Sequence, residues 1–257
     1  MAKHYAISDI HGMYNIYEQV CDMLQPEDIV YFLGDAADRG YANFKTMKAI
    51  YTNPQWVYLK GNHEDMMIKG LSQHFNDEIT YRYIEENPMT VWFYNGGSNT
   101  FNEWLEDGGN FEWINYLDRL PSQIDYTNEK GITFHMSHAG FTLGKFPWGN
   151  DLLWNRSHFF NAWDEEKYPK DICIHGHTPI EYMVKSINKM NKFSDENVPI
   201  EKYDKQKPQA KIYCNGHKIN IDNGVFYTGN TVLYDLDEMI AIPLKDKNFD
   251  EENCLYG

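Results

Sequence analysis

Cysteine is scarce in this chain, with Cys21, Cys173, Cys214 and Cys254 widely spaced in 257 residues and no Cys-x-x-Cys pair. A disulfide framework is therefore not expected, and the four thiols read as buried groups of a reducing compartment. Long hydrophobic runs are missing, since none approaches the roughly 20 residues that cross a bilayer. Met1-Ala2-Lys3-His4 passes straight into a strand-like run, leaving no room for a signal peptide, so a cytoplasmic protein is expected. Positive charge is in deficit: 23 Lys and Arg against 38 Asp and Glu, a net charge of −15. An envelope that acidic repels polyanions and excludes nucleic acid and anionic membranes as expected partners. Repeats and low-complexity tracts are also lacking.

Core-forming residues are plentiful, with 42% hydrophobic and 16% aromatic. The length suits one α/β domain, read as residues 1–245 with a loose tail over 246–257. Apolar runs at Tyr5 to Ile7, Ile29 to Leu33 and Trp56 to Leu59 alternate with helical patterns at Met13 to Leu24, Tyr41 to Tyr51 and from Asn62 onward. That order predicts parallel strands. From about Leu71 to Leu120 strand signals fade. Phe75, Tyr81, Tyr83, Trp92, Phe93, Tyr94, Phe101, Trp104, Phe111, Trp113 and Tyr116 fall at helical spacings, which predicts an inserted helical cap over one side of the active face. Its aromatics read first as core, with substrate stacking as the second reading. Beyond Pro121 the texture is β: a hairpin over Gln123 to Met136, then short strands near Ile172, Tyr213, Lys218, Val225, Thr231 and Met239. Ser186 to Ala210 is polar and lysine-rich, and predicts an exposed insertion loop.

Five polar loops carry the chemistry. They are Ser8-Asp9-Ile10-His11-Gly12, Gly34-Asp35-Ala36-Ala37-Asp38-Arg39-Gly40, Gly61-Asn62-His63-Glu64, Ser137-His138-Ala139-Gly140 and His175-Gly176-His177-Thr178-Pro179. Each follows an apolar, strand-like run. Open α/β sheets bind ligands outside the carboxyl ends of their strands, so the five loops should meet in one crevice. Carboxylate, amide and imidazole donors without thiolates suit divalent cations that act on phosphate esters. A carboxylate between two such cations bridges them, and the pair acidifies a water for attack on phosphorus. Two divalent cations against two carboxylates and a hydroxide leave the cluster at about +1, so it attracts phosphate although the envelope does not.

The order Asp-x-His-Gly, Gly-Asp-x-x-Asp-Arg-Gly, Gly-Asn-His-Glu, His, Gly-His-Thr resembles the phosphoprotein phosphatase family of calcineurin-like metallophosphoesterases, above all the bacterial and phage-lambda-type serine/threonine phosphatases. Trp92 to Gly97, Leu152 to Arg156 and Ile219 to Gly224 match that bacterial branch, so the likeness runs from Asp9 to about Asn230. It implies an α/β sandwich of two mixed β-sheets flanked by helices. It also implies two divalent ions, manganese foremost with iron, zinc, nickel or magnesium as alternatives. Carried over by position, Asp9 and His11 would hold the first ion, Asp35 would bridge, and Asn62, His138 and His177 would complete the second. His63 would be the general acid, oriented by Asp38, because a neighbouring carboxylate holds an imidazole in one tautomer and favours its protonated form. Arg39 and Arg156 would grip phosphate oxygens, which a guanidinium fork matches bidentately.

The implied reaction is hydrolysis of phosphoserine or phosphothreonine, with phosphotyrosine and small esters as further substrates, by a metal-bridging hydroxide. The alternative is a symmetrical dinucleoside tetraphosphatase, an enzyme that usually carries Ala-Arg-Gly and Asn-His-Asp where this chain has Asp38-Arg39-Gly40 and Asn62-His63-Glu64. A non-catalytic scaffold and a nuclease are weaker readings. Ser8 and Ala36-Ala37 depart from the family's usual residues without removing a ligand. Taken singly, Asp9 would read as a helix cap, Asp38 as a turn former and Glu64 as a first-turn helix charge. His135 and His175 lie beside proposed ligands and are expected at most to support them. His4, His74, His158 and His217 read as structural or surface residues.

Overall fold

The computed structural model describes residues 2–74, 87–144, 151–191, 204 and 206–250. Expectations on Phe75, Tyr81, Tyr83 and Cys254, on most of the lysine-rich insertion and on residues 251–257 lie outside the described residues. The strands are β1 (His4–Ile7), β2 (Ile29–Phe32), β3 (Trp56–Tyr58), β4 (Gln123–Thr127), β5 (Thr133–Ser137), β6 (Asp171–His175), β7 (Lys211–Tyr213), β8 (Lys218–Asn220), β9 (Asn230–Asp235) and β10 (Ile240–Lys245). They form two five-stranded sheets, in the orders β10-β9-β1-β2-β3 and β4-β5-β6-β8-β7. Both are mixed: β1, β2 and β3 run parallel beside an antiparallel β9, and β5, β6 and β8 run parallel between antiparallel β4 and β7.

The strict alternation of side chains along a strand sorts the core into two layers. Tyr5, Ile7, Val30, Phe32, Trp56 and Tyr58 point one way into the larger cluster, against the helices α1 (Tyr14–Met23), α2 (Asn43–Thr52) and α3 (Asn62–His74). Ala6, Tyr31, Leu33 and Leu59 point the other way and meet Phe134, Met136, Ile172, Ile174 and Ile219 of the second sheet. The first sheet is thus apolar on both faces, which is why its sequence reads as unbroken hydrophobic runs rather than alternation. Truncating a fully buried residue such as Ile7 to Ala would cost about 2–5 kcal/mol.

The insert is helical where it is described: α4 (Pro88–Trp92), a π-turn at Phe93–Gly97, α5 (Ser98–Glu106) and α6 (Glu112–Asp118). Trp92, Trp104 and Trp113 are buried in the larger core cluster, so the first reading of these aromatics as core describes them. Three expectations change. Val225 to Tyr227 is not a strand but one helical turn (Val225–Thr228), because Gly224 and Gly229 on either side take left-handed backbone (φ 64° and 68°) and close it. Ser186 to Asn191 belongs to the helix Ile180–Asn191, whose amphipathic face continues past the predicted loop start. The tail is anchored at its root, since Asp246 is buried, donates its N–H to the Gly229 carbonyl at 2.8 Å and accepts from Tyr41 Oη at 3.0 Å. Cys173 is buried and Cys21 and Cys214 are half-buried free thiols. No described helix is long and apolar enough to cross a membrane.

Candidate active site

β1, β2 and β3 of one sheet and β5 and β6 of the other end at the same rim, and the five polar loops leave from there. Asp9, His11, Asp35, Asp38, Asn62, His63, His138 and His177 are all buried at this junction. Their backbones are unusual: Asp9, His11, Asp35, Asp38, Arg39 and His177 have φ between 43° and 70°. Left-handed backbone at non-glycine residues costs on the order of 1–3 kcal/mol each and concentrates at functional sites. Glycines make room for it. A Cβ on Gly61 would strike the Asp35 carboxylate, and one on Gly176 would strike the side chains of Asp9 and Ser8.

Two groups of donor atoms form around a shared carboxylate. His11, Asp35 and His63 bring one ligand atom each within 4.8 Å of one another, and so do Asp9, Asp35 and His138. Asp35 Oδ2 lies 3.4 Å from His138 Nε2 and 3.8 Å from both His11 Nε2 and His63 Nε2. Asn62 Oδ1 faces His138 Nε2 at 2.8 Å and His177 Nδ1 at 2.9 Å.

The donor set fits a divalent cation. His138 Nδ1 faces the Leu33 carbonyl at 2.7 Å and His11 Nδ1 faces that of Ala37 at 2.9 Å, so each Nδ1 carries a proton, and each Nε2 would turn its lone pair inward once the ring is neutral. In the neutral tautomer, His138 Nε2 then aims a lone pair at the oxygens of Asn62 and Asp35, an arrangement of acceptors that a cation satisfies. His177 Nε2 is buried without a hydrogen-bond partner among the described residues. The charges agree. Burial pushes the Asp9 carboxyl up, with Asp35 adding to it, to about 6. Burial pushes Asp35 the same way, but His138, His63 and His11 outweigh it and hold it well below the usual carboxylate range. Burial lowers His138, yet Asp35 and Asp9 overcome this and raise it to about 10, a measure of the negative charge gathered there. Burial, then Arg39, pushes His11 well below its ordinary value, and burial, then His138, does the same to His177.

Beside this cluster, His63 Nδ1 meets Asp38 Oδ2 at 2.6 Å with both side chains buried. Arg39 lays one amino group 2.9 Å from His63 Nε2 and the other 3.1 Å from His11 Nε2, while its guanidinium stacks 4.5 Å from the Phe226 ring centroid. Arg156 donates Nε–H to Thr178 Oγ1 at 3.1 Å, next to His177, and burial and Arg39 lower its guanidinium against the pull of Asp222. All ten residues singled out in the sequence therefore converge.

The sequence reading missed others. Glu64 is more than a first-turn charge: its carboxylate accepts from the N–H of Asp35, Ala36 and Gly61 at 2.7–2.9 Å and from Tyr58 Oη at 2.6 Å, lashing the second loop to the third. Asp222 is buried in the cluster's field, and burial with Asp9 nearby pushes it well above the usual range. The quoted Ile219 to Gly224 motif was the signal for it. His135 and His175 have other partners: His135 is held between Asp125 and Asp171 at 2.9 Å each, and His175 faces the Gly176 carbonyl with Nδ1 at 3.0 Å and Tyr213 Oη with Nε2 at 2.8 Å, its ring packed against Gly140. His158 is fully buried, in line with its structural reading.

Known proteins share this architecture. A candidate diadenosine tetraphosphatase of known crystal structure superimposes with a TM-score of 0.58 at 12% identity, over 96% of this chain and 95% of that one. A metallophosphoesterase from Sphaerobacter thermophilus gives 0.54 at 16% identity, over 96% and 89%. A cold-active protein-tyrosine phosphatase of a psychrophilic Shewanella gives 0.53 at 16% identity, over 95% and 77%. These likenesses establish the fold. In sequence, the symmetrical bis(5'-nucleosyl)-tetraphosphatase of Wigglesworthia glossinidia brevipalpis is 34% identical over 66 residues, a match spanning only 24% of this chain and 24% of that protein. The calcineurin-like phosphoesterase family profile matches residues 3–220, and the chain belongs to that family.

Proposed function

We propose that the chain is a two-cation phosphomonoesterase acting on phosphoserine and phosphothreonine, with phosphotyrosine and small esters as further substrates. The observation that carries this reading is the buried Asp38–His63 pair standing against the Asp35-centred cluster, with Arg39 and Arg156 beside it. Asp9 and His11 would hold one ion and Asn62, His138 and His177 the other, with Asp35 between them. When bound, the ions supply Lewis-acid stabilisation of phosphoryl charge and acidify the attacking water.

The protein side supplies orientation and a proton. Arg39 and Arg156 grip the phosphoryl oxygens, where a planar guanidinium pairs two oxygens at once. For Arg39 this means leaving His63 Nε2, to which it donates at 2.9 Å. His63 Nε2 is then free to carry a proton to the departing alkoxide while Nδ1 stays tied to Asp38. Glu64 keeps the Asp35 and Asn62 loops in register.

The nucleotide reading rests on the match to the tetraphosphatase of Wigglesworthia glossinidia brevipalpis. Against it stand Asp38 and Glu64, and the burial of Trp92, Trp104 and Trp113, which leaves none of these indoles exposed for adenine stacking. Turnover of a phosphoserine peptide and of diadenosine tetraphosphate by the manganese-loaded protein separates the two. A higher kcat/KM for the peptide is expected, and a strong preference for the dinucleotide would overturn the assignment.

A further inference from the structure

The helical insert grips Asp38 from below. Asp38 Oδ2 accepts from His63 Nδ1–H at 2.6 Å and from the indole Nε1–H of Trp92 at 2.9 Å. Its other oxygen, Oδ1, accepts from the Thr100 hydroxyl at 2.5 Å, and that hydroxyl in turn accepts the N–H of Asp38 at 3.1 Å. Thr100 thus holds the backbone and the carboxylate of the same residue, at a position whose φ is 70°. The insert holds the next residue too. The Arg39 N–H reaches the Gly96 carbonyl at 3.3 Å and Arg39 Nε the Asn95 carbonyl at 3.4 Å.

We propose that Trp92 and Thr100 are positioning residues for the leaving-group proton transfer, and that the described part of the insert frames Asp38 and Arg39. The inference rests on the reading of His63 as the acid. Its chemistry is that of a carboxylate whose torsion is fixed by donors. With Trp92 and Thr100 engaged, Asp38 has one direction left for His63, and the imidazole plane follows. An indole nitrogen donates only, and both Trp92 and Thr100 are buried, so no solvent replaces a lost bond cheaply. The local sequence is arranged for this contact. The π-turn Phe93–Gly97 brings Gly97 flat against the indole, and a Cβ there would overlap Trp92 Nε1. Gly97→Ala should therefore displace the same donor that Trp92→Phe deletes.

Two esters distinguish positioning from bulk stability. A phosphoserine peptide expels a basic alkoxide that needs a proton, whereas p-nitrophenyl phosphate expels a stable phenolate that does not. On manganese-loaded protein, Trp92→Phe and Thr100→Val should lower kcat on the peptide by about tenfold more than on p-nitrophenyl phosphate. KM should change little, and Thr100→Ser should restore the ratio. Combined with His63→Asn, neither should add further selective loss. Independently of activity, the proton resonance of His63 Nδ1–H in metal-free protein should shift or broaden in both variants while thermal unfolding stays cooperative. Equal losses on the two esters, additivity with His63→Asn, or an unchanged Nδ1–H resonance would overturn the inference. If His63→Asn itself showed no selective loss, the acid assignment would fall first and carry this inference with it. A selective His63→Asn loss alongside unselective Trp92 and Thr100 variants would refute the inference alone.

Discussion

The carboxylate of Asp9 accepts the backbone N–H of His177 at 3.0 and 3.2 Å across 168 positions of sequence. One residue leaves β1 of the first sheet and the other follows β6 of the second. The site therefore belongs to the seam between the sheets, and neither sheet builds it alone. Gly176 has to be glycine for this approach, because a side chain there would collide with Asp9 and Ser8.

Asp35 belongs to both groups of ligand atoms, so Asp35→Asn should release metal and activity together. Elemental analysis of the purified variant, beside its rate on p-nitrophenyl phosphate, checks this. Full metal occupancy in the variant would refute the bridging role.

His63→Asn removes the proposed proton donor and keeps the six proposed ligands, Asp9, His11, Asp35, Asn62, His138 and His177. The expected outcome is a kcat about 10²–10⁴-fold lower on a phosphoserine peptide with metal retained. A change confined to KM would show that His63 binds substrate and does not protonate the leaving group.

Far from the site, Asp237 contributes to acid sensitivity. Burial pushes its carboxyl up, but Tyr126 Oη–H at 2.6 Å, the His4 N–H at 2.8 Å and the His4 ring outweigh that and leave it below its ordinary 3.8. A carboxylate depressed in the folded state binds its proton more readily when unfolded. Its stabilisation is complete above the unfolded value, near pH 4, and is lost as pH falls through the folded one. Urea midpoints measured between about pH 6 and pH 3 should fall less steeply below pH 4 in Asp237→Asn than in the parent chain. Parallel curves would contradict this.

The five polar loops were legible because each puts polar donors right after an apolar strand, and β1, β2 and β3 are apolar on both faces. Turn geometry was less legible. Val225 to Tyr227 has the composition of a strand, and only the left-handed glycines at 224 and 229 make it helical. The left-handed conformations of Asp9, His11 and Asp38 are barely legible, since Asp and His tolerate that backbone better than most residues without being confined to it. The contacts of Glu64, Trp92 and Thr100 were not legible either. Glu64 and Trp92 look local in sequence, as a helix charge and a core aromatic, Thr100 has no sequence signal, and each acts on a loop that topology delivers.

A two-cation phosphomonoesterase site centred on Asp35 is what we propose. Its most direct test is the rate of phosphomonoester hydrolysis as metal-free protein is titrated with manganese. The rate should rise until about two equivalents are bound per chain and fall to background on chelation. Saturation at one equivalent, or hydrolysis that survives chelation with no metal left on the protein, would contradict the account.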